Sequence, residues 1–467
     1  MSSWLLSRSA GVSTNRKIFR AALIVGGFSV VARAGSTLKE LIVAHAFGRS
    51  DALDAFLIAF LVPSFVVTLV TGAMGTALVP AFVEIRQGRG DEAAQRLFSS
   101  MMFLVIVLMA TLVGALALFA PYCLAYLGLG FSVEKLQLTR ALLYVLLPLV
   151  LFSGVATFTT AVLNATEKFA LPAVVPVVTP LATILFIVLV VKRWGAFSLA
   201  IGAVVGSFVE AALLASALKH SGIRLKIRWN GLDSVLRRVL GQCGPLLGAT
   251  FLMGGTSVVD QSMAAMLSSG SVAALNYAGK IISVVLGISI TALSTAVFPY
   301  FSQMVAQKDW TGCRHTLKRY SVVIVAAATP LTIGLMVFSR PLITLLFQRG
   351  AFSSADADLV SRVQTCYAIQ IPFYLWGTLF VRFLSSIKRN DILMYGAAIN
   401  LVLDIILNLV LMRVWGIAGI AISTSFVYMV SFTYLVGFTI RFLGQNRFSN
   451  APDSEQGEGS QGKCVSL

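Results

Sequence analysis

Charge is what this chain has least of. Asp, Glu, Lys and Arg together make up 12% of its 467 residues, about half the share of an ordinary soluble domain. That excludes a conventional water-facing globule. Histidine is down to three residues, and the five cysteines (Cys123, Cys243, Cys313, Cys366 and Cys464) are scattered without metal or disulfide spacing. Neither a zinc site nor a thiol redox site is supported. No Walker A loop, zincin helix or nucleophile elbow occurs, and no polar segment is large enough to hold a nucleotide. An enzyme and an ATP-driven pump therefore find no support, and no resident cofactor is expected. A small-x-small cleavage pattern is also missing after the basic N-terminal segment "SRSAGVSTNRKIFR", which reads as the flank of a span that stays in place.

Apolar sequence fills the space that charge leaves. Hydrophobic residues reach 57% with a mean hydropathy of +0.87, and runs near the roughly 20 residues that cross hydrocarbon recur from end to end. Reading runs between polar breaks predicts spans near 17–38, 53–79, 98–121, 138–163, 169–191, 196–218, 237–262, 271–300, 318–339, 361–386, 391–411 and 417–441. The expected fold class is an all-α polytopic membrane protein, with about twelve transmembrane helices in two six-helix lobes around a central cleft. Residues 1–218 form the first lobe, 219–236 a basic cytoplasmic linker, 237–446 the second lobe, and 447–467 a disordered cytoplasmic tail.

The net charge of +17 would suggest nucleic acid in a soluble protein. Here it is explained by Lys and Arg held on one side of a membrane, with anionic lipid or an anionic lipid-linked substrate as counter-charge and no nucleic-acid partner. Arg86, Arg89 and Arg96, Lys168, the basic run Lys219 to Arg238, Lys308 to Arg319, and Lys388 with Arg389 all fall in loops sharing the side of the N-terminus. The opposite loops are sparse, so both termini are expected in the cytoplasm.

The halves also echo each other. "RWGAFSLAIG" from Arg193 recurs as "VWGIAGIAIS" from Val414, and at the same offset of 221 residues "VLNATEKF" falls on "FLSSIKRN". Two six-span repeats insert with the same orientation, related by an axis along the membrane normal. A cleft between them that opens alternately to each side is a transporter; a channel is the competing use.

Charges inside spans point to what occupies such a cleft, because they are rare and costly there. Arg33 lies deep in the first span, where it needs an anion, an aqueous cavity or a bridge to Asp54 or Glu210. Lys39 lies six residues on, about 9 Å along a helix, and either lines the same cavity or snorkels and pairs locally with Glu40. Asp54 is a cap for its own helix or a partner for Arg33 or Lys39. Asp260 and Lys280 offer a second acid–base pair, with Lys280 the better ligand. Glu210 and Asp404 are candidates for a coupling-ion or proton site, or for polar bolts between helices. Arg382 is expected at the cytoplasmic interface. Several cations suit a large anion, and a diphosphate presents several oxygens to them. Energy would come from a proton or sodium gradient, the membrane potential, or consumption of substrate on the far side.

These residues carry a resemblance. "ARAGSTLKELIVAHAFGRSDALDAFLIAFLVPSFVVTLVTGAMGTALVPAF" resembles the opening of the MviN/MurJ family, within the multidrug/oligosaccharidyl-lipid/polysaccharide exporter superfamily. "GSVAALNYAGKI" and "LFQRGAFSSADA" are similar to that family's second-half motifs. The resemblance implies a flippase for undecaprenyl-diphosphate-linked saccharides in the bacterial inner membrane, with membrane lipid and envelope-synthesis enzymes as partners. It also implies substrate contacts at Arg33 and Lys39. A third family cation has no counterpart between Pro63 and Gly72; the acid–arginine pair of the second half is Gly279–Lys280; and an expected glutamate is Thr71. Those departures leave the glycan open between lipid II and an exopolysaccharide or O-antigen unit. The other reading is a cation-coupled multidrug exporter of the same superfamily.

Overall fold

The computed structural model describes residues 27–28, 30–221, 223, 228–229, 231 and 233–445. The tail and much of the linker and of the 17–38 run lie outside the described residues. In a bilayer core no water satisfies the backbone, so a segment this apolar closes its hydrogen bonds internally as helix. Helix α1 covers 30–47. It is followed by α2 (Asp51–Leu127), α3 (Val133–Ala165), the short α4 (Ala170–Val174), α5 (Val178–Trp194) and α6 (Phe197–His220). The second half holds α7 (Ser234–Ala265), α8 (Ser271–Ala306), α9 (Trp310–Val337), α10 (Ser339–Phe347), α11 (Ser354–Ala368), α12 (Gln370–Ser386), α13 (Asn390–Trp415) and α14 (Ile417–Gln445). Among the described residues eight helices are long and apolar enough to cross a membrane. The protein is an all-α polytopic membrane protein.

Local chemistry sets the ends. Ser50, Ser132 and Asp233 each accept a backbone N–H three residues on, as expected of helix N-caps. Ser353 and Asp356 form a reciprocal capping box at the start of α11. The 77-residue α2 is broken at Gly90, whose φ of 83° and ψ of 176° no helix adopts, and thereby becomes two passes. The run read as 361–386 is two helices, α11 and α12, meeting at Ile369.

Two pairs of positions 221 residues apart match in backbone detail. Helices α5 and α13 both end on Trp–Gly, with Gly195 at φ 51°, ψ −130° and Gly416 at φ 56°, ψ −134°. Glu167 and Lys388 both take φ 60° after α3 and α12. There Lys168 N–H reaches Leu163 O and Arg389 N–H reaches Leu384 O, at 3.0 and 3.1 Å. This is a left-handed C-terminal closure, made by non-glycine residues at two positions 221 apart and a third time at Lys308, φ 56°, after α8.

Four turns gather at one end of the molecule, each using a glycine to approach the other half. A Cβ on Gly48 would collide with the Ala351 carbonyl, and one on Gly130 with Ala265 O and Met266. From the second half, Gly270 abuts Arg49, and Gly350 abuts His45 O. Ala351 N–H donates to His45 O at 2.9 Å. Gly130–Met266 and Gly350–His45 are similar contacts at positions 220 and 221 residues apart.

Candidate functional site

Helices α1 and α8 run antiparallel across the line where the halves meet. Tyr277 Oη donates to Gly48 O at 3.2 Å. Farther along, Glu40 lies 2.9 Å from both Lys39 Nζ and Lys280 Nζ. Farther still, the Arg33 guanidinium lies against Gly287. Glu40 is buried, while the two lysine side chains keep 26% and 29% exposure. One shared carboxylate thus holds two ammonium groups that remain reachable from outside, with Arg33 exposed two helical turns away. Arg33, Lys39 and Lys280 lie along one seam between α1 and α8. The sequence reading treated Glu40 as a local partner of Lys39; it is also the link to the second half.

Asp54 is elsewhere, which corrects its expected pairing with Arg33 or Lys39. Its own helix is capped by Ser50. Its carboxylate instead accepts Gly270 N–H and Ala273 N–H, each at 2.8 Å, and lies 2.8 Å from Lys135 Nζ. The physical reason is that α8 opens on Gly270 without a side-chain cap of its own, leaving orphan N–H groups and the positive end of a helix dipole. Lys135 also bonds Asp51. Beside this group Arg49 bonds Asp356 at 3.1 Å and the carbonyls of Gly270 and Ser269 at 3.2 Å. The proposed bridges from Arg33 to Asp54 or Glu210 do not form: Glu210 Oε2 accepts from Thr179 Oγ1 at 2.9 Å, joining α6 to α5.

The expected Asp260–Lys280 pair does not form either. Helix α7 turns Asp260 towards α13 and α14, where Asn408 Nδ2 and Thr424 Oγ1 donate at 2.7 and 3.3 Å. Asp404, one turn before Asn408 on α13, contacts the same carboxylate. Asp404 Oδ2 and Asn408 Oδ1 are buried without a hydrogen-bond partner. Two acids, an amide and a hydroxyl thus share one buried cluster between α7, α13 and α14. Arg382 is half-buried in α12 with its Nε enclosed and without a hydrogen-bond partner. Among the described residues no group of three or more His, Cys, Asp or Glu is placed to hold a metal.

Lys135, Arg49, Asn408 and Thr424 were missed as site residues. Lys135 and Arg49 read as loop charges, and nothing in a linear pattern says that they meet residues more than eighty positions away. Asn408 had a visible signal, lying one turn from Asp404 within an apolar helix.

The family described as lipid II flippase MurJ matches residues 43–449. A probable lipid II flippase MurJ of Vibrio cholerae serotype O1 is 25% identical over 433 residues, covering 89% of this chain and 81% of that protein. The lipid II flippase MurJ of Burkholderia cenocepacia is 28% identical over 362 residues, covering 75% and 70%. Among solved structures, a lipid II flippase MurJ in an inward closed conformation superposes with a TM-score of 0.78 at 22% identity, covering 92% of this chain and 94% of that one. An inward-facing multidrug resistance MATE family transporter gives the same TM-score at 14% identity, with 92% and 100% covered.

Proposed function

Because the chain belongs to the lipid II flippase MurJ family, we propose that it moves an undecaprenyl-diphosphate-linked saccharide across the bacterial inner membrane by alternating access. It is a transporter, not an enzyme. Two six-helix lobes, about residues 1–218 and 237–446, rock about the line where α1 meets α8, with both termini in the cytoplasm. The matched closures at 167/388 and 195/416 support the two-fold relation. The excess of Lys and Arg in one set of loops supports the orientation.

The observation that carries the substrate reading is the charge of the seam. Arg33, Lys39 and Lys280 with Glu40 leave an excess of two positive charges, and a diphosphate diester carries two negative ones. Arg33 supplies a planar fork, and the lysines act as point charges. Asp54 ties α2 to the start of α8 at the end where the four glycine turns meet, the clasp, rather than touching substrate. The prenyl tail stays in lipid and passes beside α1 and α8 as they part. The same excess of positive charge disfavours a cationic drug as cargo.

Asp260 and Asp404, with Asn408 and Thr424, form the site for a coupling cation, sodium or a proton. Glu210 serves as a bolt between α5 and α6. The departures from the family pattern leave the glycan open between lipid II and another lipid-linked saccharide: Thr71 is buried and spends its hydroxyl on Val67 O at 2.6 Å, and Gly279 brings no acid beside Lys280. Complementation after depletion of a resident lipid II flippase, with the accumulated lipid intermediate identified, tests this reading. Restored growth with export of lipid II is expected. Accumulation of a different lipid-linked sugar in the native host assigns the other glycan, and failure on both counts removes the proposal.

A further inference from the structure

We propose that Gly287 is a positioning residue: its missing side chain leaves a notch in α8 that seats the Arg33 guanidinium and sets where that cation stands in the cleft. The seam has regular rungs. Lys280 meets Glu40, and seven residues further along α8 Gly287 meets Arg33, which lies seven residues back along α1. Seven residues make nearly two full turns, so both rungs face the same way, about 10 Å apart. At the inner rung a Cβ on residue 287 would stand 2.6, 2.7 and 2.9 Å from Arg33 Nη1, Nη2 and Cζ. All three distances are short together, so the flat head of the guanidinium lies over the glycine itself. Alanine there has to move the guanidinium, the far end of a long side chain, out of the notch.

Glycine is otherwise a poor choice in the middle of a helix. Its neighbour Gly279, one residue from Lys280, would carry a Cβ with nothing within 4 Å. The two glycines share a helix and a helix-propensity penalty but differ in what lies over them. That contrast separates a seat for Arg33 from a general softening of α8. A bend-permitting glycine is needed whatever residue 33 is; a seat is needed only while an arginine occupies it.

The experiment is a double-mutant cycle on the full chain in lipid nanodiscs, with Gly287→Ala, Arg33→Ala, both together, and Gly279→Ala as control. The first readout needs no ligand. Spin labels at the exposed Leu129 and Leu345, one in each half, report the distance between halves at the clasp end. Gly287→Ala is expected to lower the closed population several-fold in the Arg33 chain and to change nothing further once Arg33 is alanine, with Gly279→Ala neutral. Equal effects of Gly287→Ala in both backgrounds overturn the proposal. If Gly287→Ala lowers membrane abundance, recovery in the double variant supports the seat and continued loss overturns it. The second readout is binding of undecaprenyl diphosphate, and only this arm rests on the proposed function. An approximately tenfold weakening by Gly287→Ala that requires Arg33 supports the full inference. Coupling in the distances without binding by the wild-type chain keeps the seat and removes the diphosphate reading.

Discussion

The carboxylate of Asp54, in the first half of the chain, accepts the backbone N–H of Ala273, in the second, at 2.8 Å. With Gly270 N–H on its other oxygen and Lys135 beside it, one buried acid joins three segments. Asp54→Asn keeps an acceptor but removes the charge opposite Lys135. Breaking a buried pair costs about 3–5 kcal/mol, and the retained amide oxygen places this change at the low end. A fall in melting temperature in detergent is expected, with partial recovery when Lys135→Met is added. An unchanged melting temperature in Asp54→Asn sinks the idea.

Arg33 should behave differently. Arg33→Ala is expected to leave membrane abundance normal while weakening diphosphate-lipid binding by about 2–5 kcal/mol, the range for removing one partner of a charge-assisted contact. Arg33→Lys recovers part of it, since an ammonium lacks the fork. Adding Asp54→Asn gives no rescue, because Asp54 is engaged with Lys135 and α8. Normal binding by an abundant Arg33→Ala variant removes Arg33 as a ligand.

The clasp predicts a matched pair of lesions. Gly350, at φ +61°, and Gly130 each face backbone of the other half. Alanine at either forces the turns apart at about 1–3 kcal/mol, with extra strain at Gly350 from its left-handed backbone. Thiol labelling of Ser271→Cys, a position 2% exposed, in an otherwise cysteine-free chain should accelerate at least fivefold with either change. Acceleration with one and not the other contradicts the symmetric clasp.

The acid pair makes a thermodynamic prediction. A ligand that binds only the folded chain stabilises it by RT ln(1 + [L]/Kd), about 2.7 kcal/mol at a hundredfold excess over Kd. Melting temperature should rise with sodium at constant ionic strength, or with falling pH if the proton is the ion. Asp404→Asn should abolish whichever dependence exists. A melting temperature indifferent to both in the wild-type chain rules out the coupling site.

The helices were legible because apolar runs of spanning length have one stable backbone solution, and the repeat because Trp–Gly and its offset survive in plain letters. Arg33, Lys39 and Lys280 were legible for a related reason: a cation in an apolar run is conspicuous, and all three fall on one seam. Partnership was not legible. Asp54 lies beside Ser50, a competent cap, so nothing in the letters reveals that its carboxylate turns to a helix more than two hundred residues away. Asp260 seemed to belong with Lys280 because they are near in sequence. The turn between α7 and α8 sends them to different neighbours. Pairing depends on which helix faces are adjacent, and that is a property of the packed bundle.

The glycine clasp has one more consequence. Its contacts at Gly48 and Gly130 are made by peptide groups against peptide groups, which carry no net charge. Added electrolyte, which shortens the Debye length from about 10 Å at 0.1 M to 3 Å at 1 M, weakens ionic rungs at the solvent-reachable lysines but has little hold on those backbone contacts. The clasp end therefore combines salt-indifferent peptide contacts with the ion pairs Arg49–Asp356 and Asp54–Lys135. Brine works on the ionic rungs at either end, while the peptide contacts stay fastened until the chain itself bends.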